Sequence, residues 1–345
     1  MLHQQTQPAE TGAVTRVLSA RRVAELLDPR AALARAWAAN RSLTLLGVLM
    51  LITLAATLVG LIVDPRVITG APAWLKPFKF AISIAMYSFT LLWMLSFVQG
   101  RRRLVSMVSW VTLLAFMVEM IAVITQVVRG TISHFNAASA FDGMLFSAMG
   151  MFVLLIWAMN LVAAVLLLFQ RLPDPAMAWA LRLGLLLTLI GGATGALMTQ
   201  PTPAQRAALD HNQNVSVIGA HSVGVQDGGP GMPITGWSLT GGDLRIGHFV
   251  GLHALQALPI AGWLLARRRS RRLGDRHRVA LVALAGLGYL GLIALLIWQA
   301  LRGQPLLAPD ATTLLGLAGL VGATALLAIA VVGLGRGRAN TNVVA

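Results

Sequence analysis

Eight stretches of this chain are each long and apolar enough to cross a hydrocarbon core of ~30 Å, which takes roughly 20 residues as helix. They are 43–63, 80–98, 104–127, 143–169, 179–198, 247–266, 279–300 and 311–334. A backbone in lipid must satisfy its own hydrogen bonds, so runs of this kind fold as helices. Only 11% of residues are charged, less than half the share of about a quarter in soluble domains. The fold class read from the sequence is therefore all-α: an integral membrane bundle of eight transmembrane helices. Residues 1–42 read as a cytoplasmic tail, 43–334 as the membrane domain and 335–345 as a second cytoplasmic tail.

Orientation follows from the arginines. With a cytoplasmic N-terminus, 20 of the 27 basic residues fall on the inner side: those of the tail from Arg16 to Arg41, Arg101 to Arg103, Arg171, Arg182, the run from Arg267 to Arg278, Arg336 and Arg338. The outer side keeps Arg66, Lys76, Lys79, Arg129, Arg206, Arg245 and Arg302. This is the positive-inside pattern, and an odd helix count would destroy it. Both termini are thus placed inside, and the protein is expected in a plasma (bacterial inner) membrane. The net charge of +15 reads as topology signal and attraction to anionic inner-leaflet lipid; no nucleic-acid motif accompanies it. The tail carries no signal-peptide pattern. Val23, Leu26, Leu27, Leu33 and Trp37 interleave with arginines and would suit a helix lying on the leaflet, although a disordered tail accounts for them as well.

The long loop 199–246 is rich in Gly and Pro. It is expected outside the membrane as a cap over the outer face, with a strand or hairpin in Val215 to Val225. Five of seven histidines (His134, His211, His221, His248 and His253) and six acids (Asp64, Asp142, Asp210, Asp227, Asp243 and Asp310) gather on the same side.

Polar residues inside spans are costly and mark functional candidates. In the third span Thr112, Ala115, Glu119, Ala122 and Gln126 form one small-or-polar stripe, with Glu119 ~14 Å below the outer end. Lys79, Ser83, Tyr87 and Thr90 make a similar stripe on the second span, and His253 and Gln256 share a face of the sixth. These stripes predict a polar column lined by spans two, three and six, opening outward and ending near mid-membrane. Its mouth would be the loop residues Lys76, Lys79, Arg129, His134, Asn136, Asp142, Asp243, Arg245 and His248. The competing reading makes Glu119 a packing residue hydrogen-bonded to Tyr87 or Gln256. Asn160 of the fourth span reads as interhelical glue, Pro259 as the bend of the sixth span. Gly191/Gly195, Gly247/Gly251 and Gly316/Gly319/Gly322 read as close-approach positions.

The absence of cysteine excludes disulfides, iron–sulfur clusters and thiolate metal sites. Histidine remains as a ligand for haem or a transition metal, with His253, His134 and His248 as the candidates, and Asp243 and Asp142 to orient them. His248 and His253 lie ~140° apart around a regular helix, so only one of them would face a shared ion. The two lysines, in a chain with 25 arginines, suggest a site that wants a compact ammonium for phosphate or carboxylate, or else simple interfacial anchoring. The first functional reading is a redox protein with a haem or metal in its outer half, and Glu119, Tyr87 and Gln256 as a proton path or quinol floor. The second is a proton-coupled permease for a small anionic solute, with Glu119 carrying the proton and Lys76, Lys79, Arg129, Asn136 and Arg245 gathering the anion. An outer-leaflet lipid enzyme with Asp142, Asp243 and the histidines as acid and base, and an assembly subunit docking through its cap, complete the alternatives.

Overall fold

The computed structural model describes residues 28–267 and 273–341, with side chains to residue 333. Helix α1 (Pro29–Ala39) starts at the N-cap Asp28 and carries Leu33 and Trp37, both 44% exposed. The rest of the predicted tail helix lies outside the described residues. Then follow α2 (Arg41–Val63), α3 (Leu75–Leu95), α4 (Arg102–Val128), α5 (Ala140–Leu168) and α6 (Pro175–Thr194). The loop after α6 holds a short helix, α7 (Pro203–Asp210), closed by a Thr202/Gln205 capping box. The bundle ends with α8 (Leu244–Leu252), α9 (Ala254–Arg267), α10 (Asp275–Leu301) and α11 (Ala311–Thr341).

Among the described residues seven helices meet the length and apolarity of a membrane span, and α8 with α9, bent by 45°, brings the number to eight where the pair counts as one span. The predicted spans therefore stand as seven to eight, with two corrections. The second begins at Leu75 rather than 80, which puts Lys76 and Lys79 in its first two helical turns instead of a loop. Their charges had shortened the apolar run, but Pro77 suits a first helical turn, where its missing N–H costs nothing. The bend of the sixth span falls at His253, not at Pro259, which sits inside α9. A carbonyl freed at the break, that of Leu252, accepts from Thr188 Oγ1 of α6 at 3.2 Å.

Helices α2 to α6 and α9 share one apolar core toward the end away from the long loop, with Leu43, Leu91, Val108, Ala163, Leu181 and Leu255 all fully buried. Lipid is as apolar as leucine, so close packing rather than water exclusion holds such helices together. At the crossing of α6 and α8 a Cβ on Gly191 would lie 2.4 Å from the backbone of Gly251, so only glycine permits that approach. The last span differs. None of α11's apolar window is buried, and Cβ atoms on Gly319 or Gly322 would meet nothing within 4 Å. Their expected packing role is absent; Gly288 and Gly291 of α10 instead receive Thr324 and Leu320 of α11.

The long loop caps one end of the bundle. Its predicted strand does not fold back on itself. Val217 bridges Asn136, and β3 (Ser222–Val223) pairs antiparallel with β4 (Gly242–Asp243) at the start of α8. A second small ribbon, β1 (Val67–Ile68) with β2 (Ala71–Pro72), joins α2 to α3. Phe135, Met198, Leu244 and Ala300 bury themselves beneath the cap.

Candidate functional site

The capped end separates into two polar groups. The first is an anchor at the junction of α4 and α5. Asp142 is 5% exposed and accepts from Gln126 Nε2 at 2.7 Å, Arg129 Nη1 at 2.5 Å and Ser139 Oγ at 2.5 Å. Ser139 caps α5 in return, and Arg129 stacks on Phe141. Asn136 fastens the same connection through Thr131 Oγ1, the Ile132 carbonyl and the Ala138 N–H. Arg129, Asn136 and Asp142, expected at a mouth, are thus committed to holding the helix ends.

The second group surrounds Lys76 and Lys79. Lys76 Nζ donates to His134 Nδ1 at 3.0 Å, which Ser133 Oγ also meets at 3.1 Å. Lys79 Nζ donates to the Thr235 carbonyl of the cap at 2.9 Å. Arg245 lies within electrostatic range of both ammonium groups, and Glu119 and Asp227 within range of Lys76. Four of the arginines on this side each pair with an aspartate: Arg66 with Asp64, Arg129 with Asp142, Arg245 with Asp243 and Arg302 with Asp310. Among the described residues the two lysines have no such ion pair; neutral atoms hold them.

Three histidines stand around this point, each with its Nδ1 engaged by the protein. His221 Nδ1 donates to Asp227 Oδ2 at 2.8 Å, and His248 Nδ1 to the Gly191 carbonyl at 2.8 Å. Burial, reinforced by the charge of Lys76, holds His134 well below the ordinary imidazole value. His221 is also lowered, burial outweighing its aspartate. His134 is therefore neutral, and because Nδ1 accepts from Lys76 its proton sits on Nε2. Phe135, in the left-handed region at φ +65°, packs edge-on between the rings of His134 and His221. Such a conformation in a bulky residue persists only where its surroundings impose it.

The column is partly assembled. Gln256 Nε2 donates to Thr90 Oγ1 at 3.2 Å, so spans two and six do touch, and His253 turns to Gln256 rather than toward His134 and His248. Tyr87 donates to Asn160 Oδ1 at 2.8 Å, giving that residue a specific partner. Glu119 is 2% exposed, and its Oε1 has no hydrogen-bond partner. The packing alternative, in which Tyr87 or Gln256 holds Glu119, is not what the structure contains. The acids named to orient histidines do other work as well. Asp243 is fully buried, caps α8 and takes Arg245 and the Ser238 N–H. The acid that orients a histidine is Asp227, which also clasps the His221 and Ser222 amides. Sequence reasoning missed it because His221 and Asp227 lie in a Gly-rich loop with no periodicity to pair them. Among the described residues no three His, Asp or Glu side chains form a group that could hold a metal ion.

Fold and site define a multi-pass helical membrane protein with a polar centre beneath a loop cap. Beyond that class the chain stands apart: it matches no family model, no curated protein and no solved structure.

Proposed function

We propose that this protein is a proton-coupled permease for a small anionic solute in a bacterial inner membrane, with its capped end facing outward. The observation that carries this reading is the pair of lysines. In a chain that matches arginine to aspartate at four places on this face, Lys76 and Lys79 lack any acid at ion-pair distance. An ammonium without a partner carboxylate is open to an anionic ligand, and its compact charge suits carboxylate or phosphate oxygens. His134 adds an N–H from Nε2, and Arg245 deepens the positive potential.

Glu119 supplies the coupling. Lys76 lies within electrostatic range of Glu119, and an anion bound at the lysines offsets the lysine charge, so a proton on Glu119 is better tolerated once the anion is in place. Anion and proton therefore enter together, and the proton cancels one unit of the anion's charge as the pair crosses. Inner-leaflet anionic lipid would hold the arginine-rich opposite face.

Purified protein in liposomes should bind and take up labelled succinate or inorganic phosphate faster with an inward proton gradient. The Lys76→Gln/Lys79→Gln double variant should lose both. Uptake and binding indifferent to the double substitution would remove this reading. A redox role is the second reading, favoured by one observation: His221 and His248 each have Nδ1 held by an acceptor, as ligating histidines do. Oxidised and reduced absorbance spectra with metal analysis on one sample decide it; a colourless, metal-free protein that binds no added haem excludes it.

A further inference from the structure

The sequence places the polar column in the outer half alone. The structure extends it. Along α4, Ser109, Thr112, Glu119 and Gln126 are each 2% exposed or less. Steps of three and seven residues keep them on one helical face, and at 1.5 Å per residue they cover ~25 Å, most of a hydrocarbon core. Ala115 and Ala122, equally buried, leave the face between them small. At the far end Asn40, the N-cap of α2, donates to Ser109 Oγ at 2.7 Å and also takes Ser42 Oγ. At the near end Gln126 belongs to the Asp142 anchor.

Two atoms on this face stand out. Thr112 Oγ1 and Glu119 Oε1 are sealed from solvent and lack any hydrogen-bond partner. A buried polar atom left unmade costs about 1–3 kcal/mol. Two of them, two helical turns apart on one stripe, call for a shared reason. Water entering between them would satisfy both.

We infer that α4 carries the proton route of the permease through the full thickness of the membrane, with Thr112 and Ser109 as its lower half. This deepens the proposed function and rests on it. A proton from the capped side adds to the Glu119 carboxylate, giving the neutral acid. The acid then releases the same proton to water held by Thr112, and it leaves past Ser109 and Asn40. One proton moves, Glu119 returns to its starting form, and no other reactant is needed. Lys76 of α3 is the charged group acting on Glu119. In α2 and α5, also packed on α4, the only charged residues are Arg41 and Asp142 at the helix starts.

The test uses the full chain in liposomes loaded with a pH-sensitive dye, under an imposed membrane potential, with succinate or phosphate outside. Wild type should acidify the lumen. Glu119→Gln should cut the rate at least tenfold. Thr112→Val should cut it about tenfold while anion binding stays within twofold, and Thr112→Ser should restore it. A merely structural Thr112 would not give this split, and thermal unfolding in detergent checks that each variant is folded. A Thr112→Val rate equal to wild type overturns the route, as does a Glu119→Gln protein that conducts normally or a wild type that moves no protons. Anion binding that depends on the lysines would survive any of these results, so failure of the route and failure of the anion site are read separately.

Discussion

Two buried carboxylates on neighbouring helices have opposite fates. Asp142 at the start of α5 is saturated by Gln126, Arg129 and Ser139. Glu119, two turns down α4 from Gln126, keeps an oxygen without a partner. The difference separates structure from function in this molecule. A carboxylate whose lone pairs are all committed holds helix ends together and resists change. One left open in a low-dielectric interior is expensive to keep and suited to taking up a proton.

The sharpest way to break this contrast is to remove each acid in turn. Asp142→Ala strands a guanidinium, an amide and a hydroxyl. It should destabilise the protein by about 2–4 kcal/mol, read as a fall in thermal midpoint in detergent. Glu119→Gln removes no hydrogen bond at Oε1 and should stay within about 1 kcal/mol. Equal losses would mean that Glu119 is structural after all. Next in size, Lys76→Arg should weaken succinate or phosphate binding about tenfold in titration calorimetry. The planar fork cannot take the ammonium's place against His134 Nδ1, although the charge is kept.

Smaller effects belong to the cap. Asp227→Asn should raise amide exchange around 221–227 about fivefold, equivalent to about 1 kcal/mol, by loosening the clasp on His221. Acid should act in the same direction. His134 and His221 are both lowered below the ordinary value of 6.5, so the unfolded cap binds protons that the folded cap refuses. Their contribution is complete above about pH 6.5 and is lost as the pH falls below it. Asp227, itself lowered, extends the loss into the carboxylate range. Exchange corrected for its intrinsic pH dependence should show the cap opening first, with the α2 to α6 core unchanged. Smallest of all, His253→Ala should change anion binding less than twofold, because that ring faces Gln256.

Much of this was legible beforehand, for identifiable reasons. Span number depends on local apolar length, which lipid enforces residue by residue. The Gly191 and Gly251 positions were readable because a missing Cβ matters wherever two backbones cross. Glu119 and the two lysines stood out because charge is rare in such helices. Other features were not legible. Gly319 and Gly322 also recur at helical spacing but face no neighbour, since nothing local tells a helix which of its sides will meet another. Asn160 looked generic until Tyr87 reached it from a helix 73 positions away.

What the sequence alone determined is the set of spans and the short list of charged groups that lipid would not tolerate without cause. Those are properties of single segments in a low-dielectric solvent. Tertiary structure decided which of those groups are satisfied. It gave Asp142 to the helix anchor, Asp243 to Arg245 and Asp227 to His221, and it left Glu119 and Thr112 open on one buried face. Hydrogen bonds of 2.5–3 Å are decided by where whole helices and a 48-residue loop come to rest, and no periodicity in the chain encodes that placement.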